Sequence, residues 1–253
     1  MNHEQMLSPD SASLFESEGF LSIEALTTTE DIACIRSLLD PIFENFEQLP
    51  KKQAGDMAGD DHPDGRPRIL EINRTVSLQP KLRNTLAYQR CRRLAHELLK
   101  APVGYVFDNA IYKPPYNGTP THWHQDDAYT GRPVPLKTVH FWIPLQSVSV
   151  ENGCMYYIPG SHRCGLNQHQ KIASRPIGDV LRVTGVDVSA AVACPLGVGG
   201  ATLHHALTLH YSGPNQTDTC RRVWVIHFGA YGRLGIYHPR NLMAKLLSRL
   251  KPR

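Results

Sequence analysis

Residues 137–150 read KTVHFWIPLQSVSV. Valine, isoleucine, threonine, phenylalanine and tryptophan crowd this run, the composition of a strand. Similar runs recur on both sides of it: VGYVFDNAIYK at 103–113, CMYYIPG at 154–160, AAVACPL at 190–196 and RRVWVIHFGAY at 221–231. Between them sit Pro114-Pro115, Asn117-Gly118, Asn152-Gly153, Pro159-Gly160 and Gly199-Gly200. Such pairs punctuate short strands with turns. From about residue 101 to 230 the chain therefore reads as an all-β barrel or sandwich.

Helices are expected on either side of this block. Ser8-Pro9-Asp10 is a helix start and Gly19 its stop, after which FLSIE at 20–24 reads as a strand. Thr28-x-x-Asp31 resembles a capping box. Beyond it Ile32, Ile35, Leu39, Ile42, Phe43 and Phe46 share one helical face. Pro80 opens a third helix to about Lys100, apolar at Leu82, Leu86, Leu94 and Leu98. Its arginines 83, 90, 92 and 93 form a solvated face. Leu242, Met243, Leu246, Leu247 and Leu250 predict a final helix at about 240–250. Residues 50–67, PKKQAGDMAGDDHPDGRP, show no apolar period and read as a loop long enough to serve as a lid.

The chain has 253 residues, 41% of them apolar, enough for one substantial core. One domain over 1–253 is expected, with a helical part at 1–100, a barrel at about 101–230 and the terminal helix. The 27 Lys and Arg against 23 Asp and Glu leave a spread-out +4, which does not call for nucleic acid. Six cysteines, at 34, 91, 154, 164, 194 and 220, form no CxxC pair, so free thiols in a reducing compartment are expected. No long apolar run predicts a membrane span, and the polar start MNHEQMLSPD lacks the layout of a signal peptide. A soluble cytoplasmic protein is the resulting expectation.

The chemistry concentrates at His122-Trp-His124-Gln-Asp126-Asp127-Ala-Tyr129. On a strand, positions i and i+2 share a side, so His124 and Asp126 can face one ion while Asp127 points away. One more histidine completes a two-histidine, one-carboxylate triad, which leaves positions open for non-haem Fe(II) oxygen chemistry. His204, His205 and His210 are candidates for it. His204 and His210 share parity, and His210 is only weakly preferred for standing before a turn. A zinc-type pair at His122 and His124 remains an alternative at this level, as does a non-redox cupin-like metal-binding protein.

The segment Lys113-Pro-Pro followed by His124-Gln-Asp126 resembles the phytanoyl-CoA dioxygenase family of Fe(II)/2-oxoglutarate oxygenases. So do Asn152-Gly-Cys-Met-Tyr-Tyr-Ile-Pro-Gly-Ser-His162-Arg163 and His210-Tyr-Ser-Gly-Pro-Asn with Arg221 eleven residues on. With the N-terminal helix and the Glu18-Gly-Phe-Leu turn, the likeness spans about 14–230. It implies a mainly β fold with flanking helices, a double-stranded β-helix or cupin-like jelly roll. It implies Fe(II), 2-oxoglutarate and O2 as cofactors, and iron at His124, Asp126 and His210. His122, His204 and His205 are left with structural or supporting roles.

The resemblance further implies that Arg221 pairs with the far carboxylate of 2-oxoglutarate, a role suited to a bidentate guanidinium. Arg222 is its neighbour, and only one of the two can point inward on a strand. Ser212, Trp142 and Asn109 match family positions around the cosubstrate. The implied reaction decarboxylates 2-oxoglutarate to succinate and CO2 and hydroxylates a substrate C–H. Related halogenases lack the carboxylate that Asp126 provides, so halogenation is disfavoured. The family's substrates include acyl-CoAs, amino-acid derivatives, ectoine-like solutes and natural-product scaffolds. Gln125, Asp127, Tyr129, Arg132, Lys113 and Tyr116 are candidates for lining the substrate mouth, where cations would favour an acidic or phosphorylated substrate.

Overall fold

In the computed structural model, residues 7–59, 68–130 and 137–230 are described. Helix α1 (Pro9–Glu18) starts at Ser8, whose side chain accepts the Ser11 N–H, and stops at Gly19 in the left-handed region with φ of 81°. A Cβ on Gly19 would meet the His162 ring and the Thr208 hydroxyl, so glycine is required twice over. The Gly19 carbonyl accepts the His205 N–H at 2.8 Å and the Thr208 hydroxyl at 2.7 Å. Those bonds fix the turn that leads into His210.

Strand β1 (Phe20–Ile23) follows, then α2 (Thr29–Glu44). Thr28 caps α2 by accepting the Asp31 N–H at 3.2 Å. The reciprocal half of a capping box is absent. Asp31 instead accepts the N–H groups of Leu86 at 2.9 Å and Ala87 at 2.8 Å, and the Thr27 hydroxyl at 2.7 Å. It thereby caps a different helix. Ile32, Ile35 and Leu39 are buried as their spacing predicts, while Phe46 falls in a separate 3-10 turn, Phe46–Gln48.

The stretch taken as a loop from residue 50 contains β2 (Ala54–Asp56), an edge strand paired with β3 (Leu70–Asn73). Its core-forming residue is Ala54, too little apolar content to show a period. The single helix expected from Pro80 is broken: after α3 (Thr75–Leu78), a 3-10 turn Pro80–Asn84 ends at Thr85, which then caps α4 (Leu86–Leu99). Leu82 is buried but Leu86 is exposed, because the break rotates the register between them. The expected helix at 240–250, residues 60–67 and Arg132 lie outside the described residues.

The remaining strands are β4 (Val103–Lys113), β5 (Thr121–His124), β6 (Thr138–Pro144), β7 (Met155–Tyr157), β8 (Gln170–Ala173), β9 (Val180–Arg182), β10 (Val192–Cys194), β11 (Ala201–His205), β12 (His210–Ser212) and β13 (Arg221–Ala230). Seven strands form one antiparallel sheet in the order β1-β11-β6-β13-β4-β3-β2. Four form a second, β10-β7-β12-β5, and β8-β9 make a separate hairpin. The two larger sheets face one another as a jelly roll, the double-stranded β-helix.

Strand parity explains why the large sheet reads as continuous apolar sequence. Val139, Phe141 and Ile143 of β6 and Trp224, Ile226 and Phe228 of β13 pack in a cluster with α1, α2 and α4. Their neighbours Trp142, Val223 and Val225 face the interior with Met155 and Tyr157 of the small sheet. That inner face also carries the polar residues described next. Among the described residues no helix is long and apolar enough to cross a membrane.

Candidate metal and cosubstrate site

His124 ends β5, and His210 opens β12 directly opposite it in the small sheet. Their rings lie 4.1 Å apart, centroid to centroid. His124 Nδ1 donates to the His122 carbonyl at 2.7 Å, and His210 Nδ1 donates to the Thr208 carbonyl at 2.9 Å. A carbonyl only accepts, so each Nδ1 bears a proton, and Nε2 is the atom each ring turns to Asp126 and can offer to a cation. Those two nitrogens stand 3.4 and 3.5 Å from Oδ1 of Asp126. Donors about 2.1 Å from one cation and at right angles stand about 3 Å apart, so this separation suits three ligands of one ion. The three atoms lie within 4.8 Å of one another.

Asp126 gets there differently from what strand parity predicts. Strand β5 stops at His124, and Asp126 begins a 3-10 turn, Asp126–Thr130. Gln125, fully buried, makes the corner: its Nε2 donates to the carbonyls of Gly165 and Leu207, and its Oε1 accepts the Asn167 N–H. Gln125 is thus tied into the scaffold and does not reach the substrate mouth. Asp127 does not point away. It is buried and lines the same cavity as the triad.

His204 and His210 do not share one strand face. The chain turns between β11 and β12, which places His204 on the large sheet and His210 on the small one, with ring centroids 4.4 Å apart. His204 Nε2 donates to the other oxygen of Asp126, Oδ2, at 3.0 Å, and His140 Nδ1 donates to it at 2.6 Å. Burial works to raise the Asp126 pKa, but nearby His210 and His124 and the hydrogen bonds from His140 and His204 hold it well below the ordinary value. Burial and then His210 pull His204 down to about 3, so its ring is neutral. His205 points elsewhere, its ring 5.4 Å from that of His162.

A buried cation lies in the wall of the same cavity. Arg221 is 1% exposed, faces inward, and its Nε and Nη1 have no hydrogen-bond partner among the described residues. Arg222 points outward, its Nε 3.1 Å from Asp40 of α2. The Arg221 guanidinium lies 5.6 Å from the Trp142 ring centre, and burial lowers its pKa to about 10. Lys113 is fully buried rather than at the mouth, and Nζ donates to Ser212 Oγ at 3.1 Å and to the carbonyls of Ser212 at 3.2 Å and Gly213 at 2.7 Å. Burial, then Arg221, push its pKa well below the usual lysine value. Tyr116 is 72% exposed and lies outside the cavity lining.

The cavity, about 530 Å³, is large enough for a small molecule. Tyr129, 45% exposed, stands edge-on to His124. Asn109 lines the wall: its Nδ2 donates to Glu71 at 2.7 Å, and its Oδ1 has no partner among the described residues. Glu71 also holds Arg175 at 2.9 Å, a buried pair that ties the β8–β9 hairpin to the wall. Sequence reading did not reach His140, Glu71 or Arg175. His140 was signalled only by sharing inward parity with Trp142. The other two lie 104 residues apart and no local pattern links them.

Three ligand-type atoms with the right tautomers and an unpartnered buried guanidinium in one cavity fit a divalent metal and a dicarboxylate. Comparison with known proteins agrees. The phytanoyl-CoA dioxygenase (PhyH) family model matches residues 15–223. The chain belongs to the phytanoyl-CoA dioxygenase family. Its members are Fe(II)/2-oxoglutarate-dependent oxygenases, which use Fe(II), 2-oxoglutarate and O2.

EvdO2 from Micromonospora carbonacea var. aurantiaca is 33% identical, with a TM-score of 0.77 over 95% of this chain and 98% of that one. A second structure of EvdO2 is a complex with 2-oxoglutarate. The phytanoyl-CoA dioxygenase domain-containing protein 1 of Danio rerio is 29% identical over 156 residues, 60% of this chain and 50% of that protein. This chain spans about half the length of the first curated relatives it matches. The fold is shared with SnoK, a carbocyclase from nogalamycin biosynthesis, at 23% identity and a TM-score of 0.69 over 98% of this chain and 92% of that one.

Proposed function

We propose that this oxygenase hydroxylates an unactivated C–H bond of a small-molecule metabolite or natural-product intermediate. In this reading Nε2 of His124, Nε2 of His210 and Oδ1 of Asp126 hold the iron, and three coordination positions stay open. With its cofactors bound, the centre supplies oxidative decarboxylation of 2-oxoglutarate to succinate and CO2, coupled to oxidation of the substrate. The observation that carries the reading is Arg221, a buried guanidinium with unpartnered nitrogens in the triad's own cavity. A non-redox metal protein has no need of it.

Arg221 receives the far carboxylate of 2-oxoglutarate, with Trp142 against its guanidinium. Ser212 supplies a second donor there. Its oxygen accepts from Lys113, so its proton is free for the carboxylate. Asp127 and Tyr129 border the metal side and contact the substrate. The β8–β9 hairpin, latched by Arg175 and Glu71, limits water at the reacting C–H.

The test is product analysis. With Fe(II), 2-oxoglutarate and air, the protein releases succinate, and a substrate found in a natural-product panel gains one oxygen atom by mass. A product that has only lost two hydrogens, or closed a ring, keeps the oxygenase but rejects hydroxylation. Absence of succinate under all conditions rejects the function itself.

A further inference from the structure

Three histidines stand abreast on the inner face of the large sheet. His204 on β11, His140 on β6 and His227 on β13 are cross-strand partners. Two of them reach Asp126, and both reach the same oxygen. His140 Nδ1 lies 2.6 Å and His204 Nε2 lies 3.0 Å from Oδ2, while Oδ1 is the atom that faces His124 and His210. A carboxylate accepts only, so both nitrogens on Oδ2 carry protons.

The far side of each ring is satisfied in the matching tautomer. His140 Nε2 lies 3.0 Å from the Thr138 hydroxyl. His204 Nδ1 lies 3.2 Å from the Tyr157 hydroxyl, which is 2.7 Å from that of Thr202. His227 stacks on His140 with centroids 3.5 Å apart and planes within 3°. Both donors are therefore held in orientation from behind.

We propose that His140 and His204 are positioning residues that make Asp126 a one-oxygen metal ligand. A carboxylate left to itself can swing and chelate through both oxygens, which would consume a second coordination position. With two N–H donors on Oδ2, only Oδ1 is available to the metal. The positions a chelating cosubstrate needs then remain open. This inference rests on the reading that His124, Asp126 and His210 bind a divalent metal. The same atoms suggest a competing arrangement, a second ion held by Asp126, His140 and His204, whose ligand atoms also lie within 4.8 Å of one another. The 2.6 Å contact is a hydrogen-bond length and favours the protonated arrangement.

The test uses Mn(II) alone, titrated into apoprotein by calorimetry, with free Mn(II) read by electron paramagnetic resonance. An asparagine amide places its N–H near where a histidine carries Nδ1, and a glutamine amide near where it carries Nε2. His140→Asn and His204→Gln are therefore expected to bind Mn(II) within roughly threefold of wild type. His140→Gln, His204→Asn and the leucine variants at both positions should lose on the order of 10- to 100-fold. A packing role would follow side-chain volume and make asparagine worse than glutamine at both positions. Circular dichroism checks the fold, and the amide variants decide the matter if a leucine variant does not fold.

Wild-type affinity in every folded variant, affinity that tracks volume, or two Mn(II) ions per chain would each overturn the proposal. If wild type binds no Mn(II), the metal reading falls with it. If wild type binds one ion and the variants are indifferent, only the positioning role falls.

Discussion

At the residue scale, Arg221 sets the electrostatic logic. A guanidinium 1% exposed with unpartnered nitrogens lowers stability until an anion arrives. Arg221→Met should therefore act in opposite directions on two quantities. The apoprotein is expected to gain about 1–4 kcal/mol in chemical denaturation, because an uncompensated buried charge is gone. Binding of 2-oxoglutarate in the presence of Mn(II) is expected to weaken at least about thirtyfold, the lower end for removing one partner of a buried charged pair. A variant that loses both stability and affinity would point to a packing role instead. Residues of this kind were unequally legible. Alternation shows only that one of Arg221 and Arg222 faces in, and it was the family resemblance that pointed to Arg221. Lys113 was misplaced at the mouth, because nothing in the sequence shows that Ser212 and Gly213 offer it three acceptors. His140 was missed because its importance lies in Asp126, fourteen residues away and on another element.

At the element scale, caps and corners do most of the placing. Asp31 leaves its own helix to cap α4, joining the two helices that cover the large sheet. Asp31→Ala is expected to cost about 1–2 kcal/mol of unfolding free energy, and Asp31→Asn part of that, because the amide keeps one of the two accepting oxygens and turns a donor toward the other N–H. Equal losses in the two variants would show that charge rather than capping matters. The sequence located Thr28 and Asp31 correctly but assigned their bonds to one helix, since the partners at Leu86 and Ala87 are 55 and 56 residues away. The approach to the metal shows the same limit. His124 and Asp126 do converge, yet they do so through a strand end and a turn pinned by Gln125, not through strand alternation. Spacing found the pair, and only the fold supplies the path.

For the whole molecule, two sheets bring together residues that the chain keeps far apart, and a hairpin is latched to the cavity wall. The latch is the buried pair of Arg175 and Glu71, 2.9 Å apart. Glu71→Gln should free the β8–β9 hairpin, with amide exchange across residues 170–182 faster by on the order of a hundredfold, the equivalent of about 3 kcal/mol for breaking a buried ion pair. Unchanged exchange there would mean that the hairpin is held by its packing alone. Saturating 2-oxoglutarate with Mn(II) is expected to raise the melting temperature of wild type, by about 2.7 kcal/mol of stabilisation at a hundred times the dissociation constant.

The most direct measurement concerns the pairing of iron with 2-oxoglutarate in this cavity. Fe(II) and 2-oxoglutarate are added to apoprotein without oxygen, and the visible spectrum is recorded. The account predicts a charge-transfer band from chelated 2-oxoglutarate in wild type, abolished in His210→Ala and requiring far more 2-oxoglutarate in Arg221→Met. No band in wild type at saturating Fe(II) and 2-oxoglutarate, or an undiminished band in His210→Ala, would contradict it.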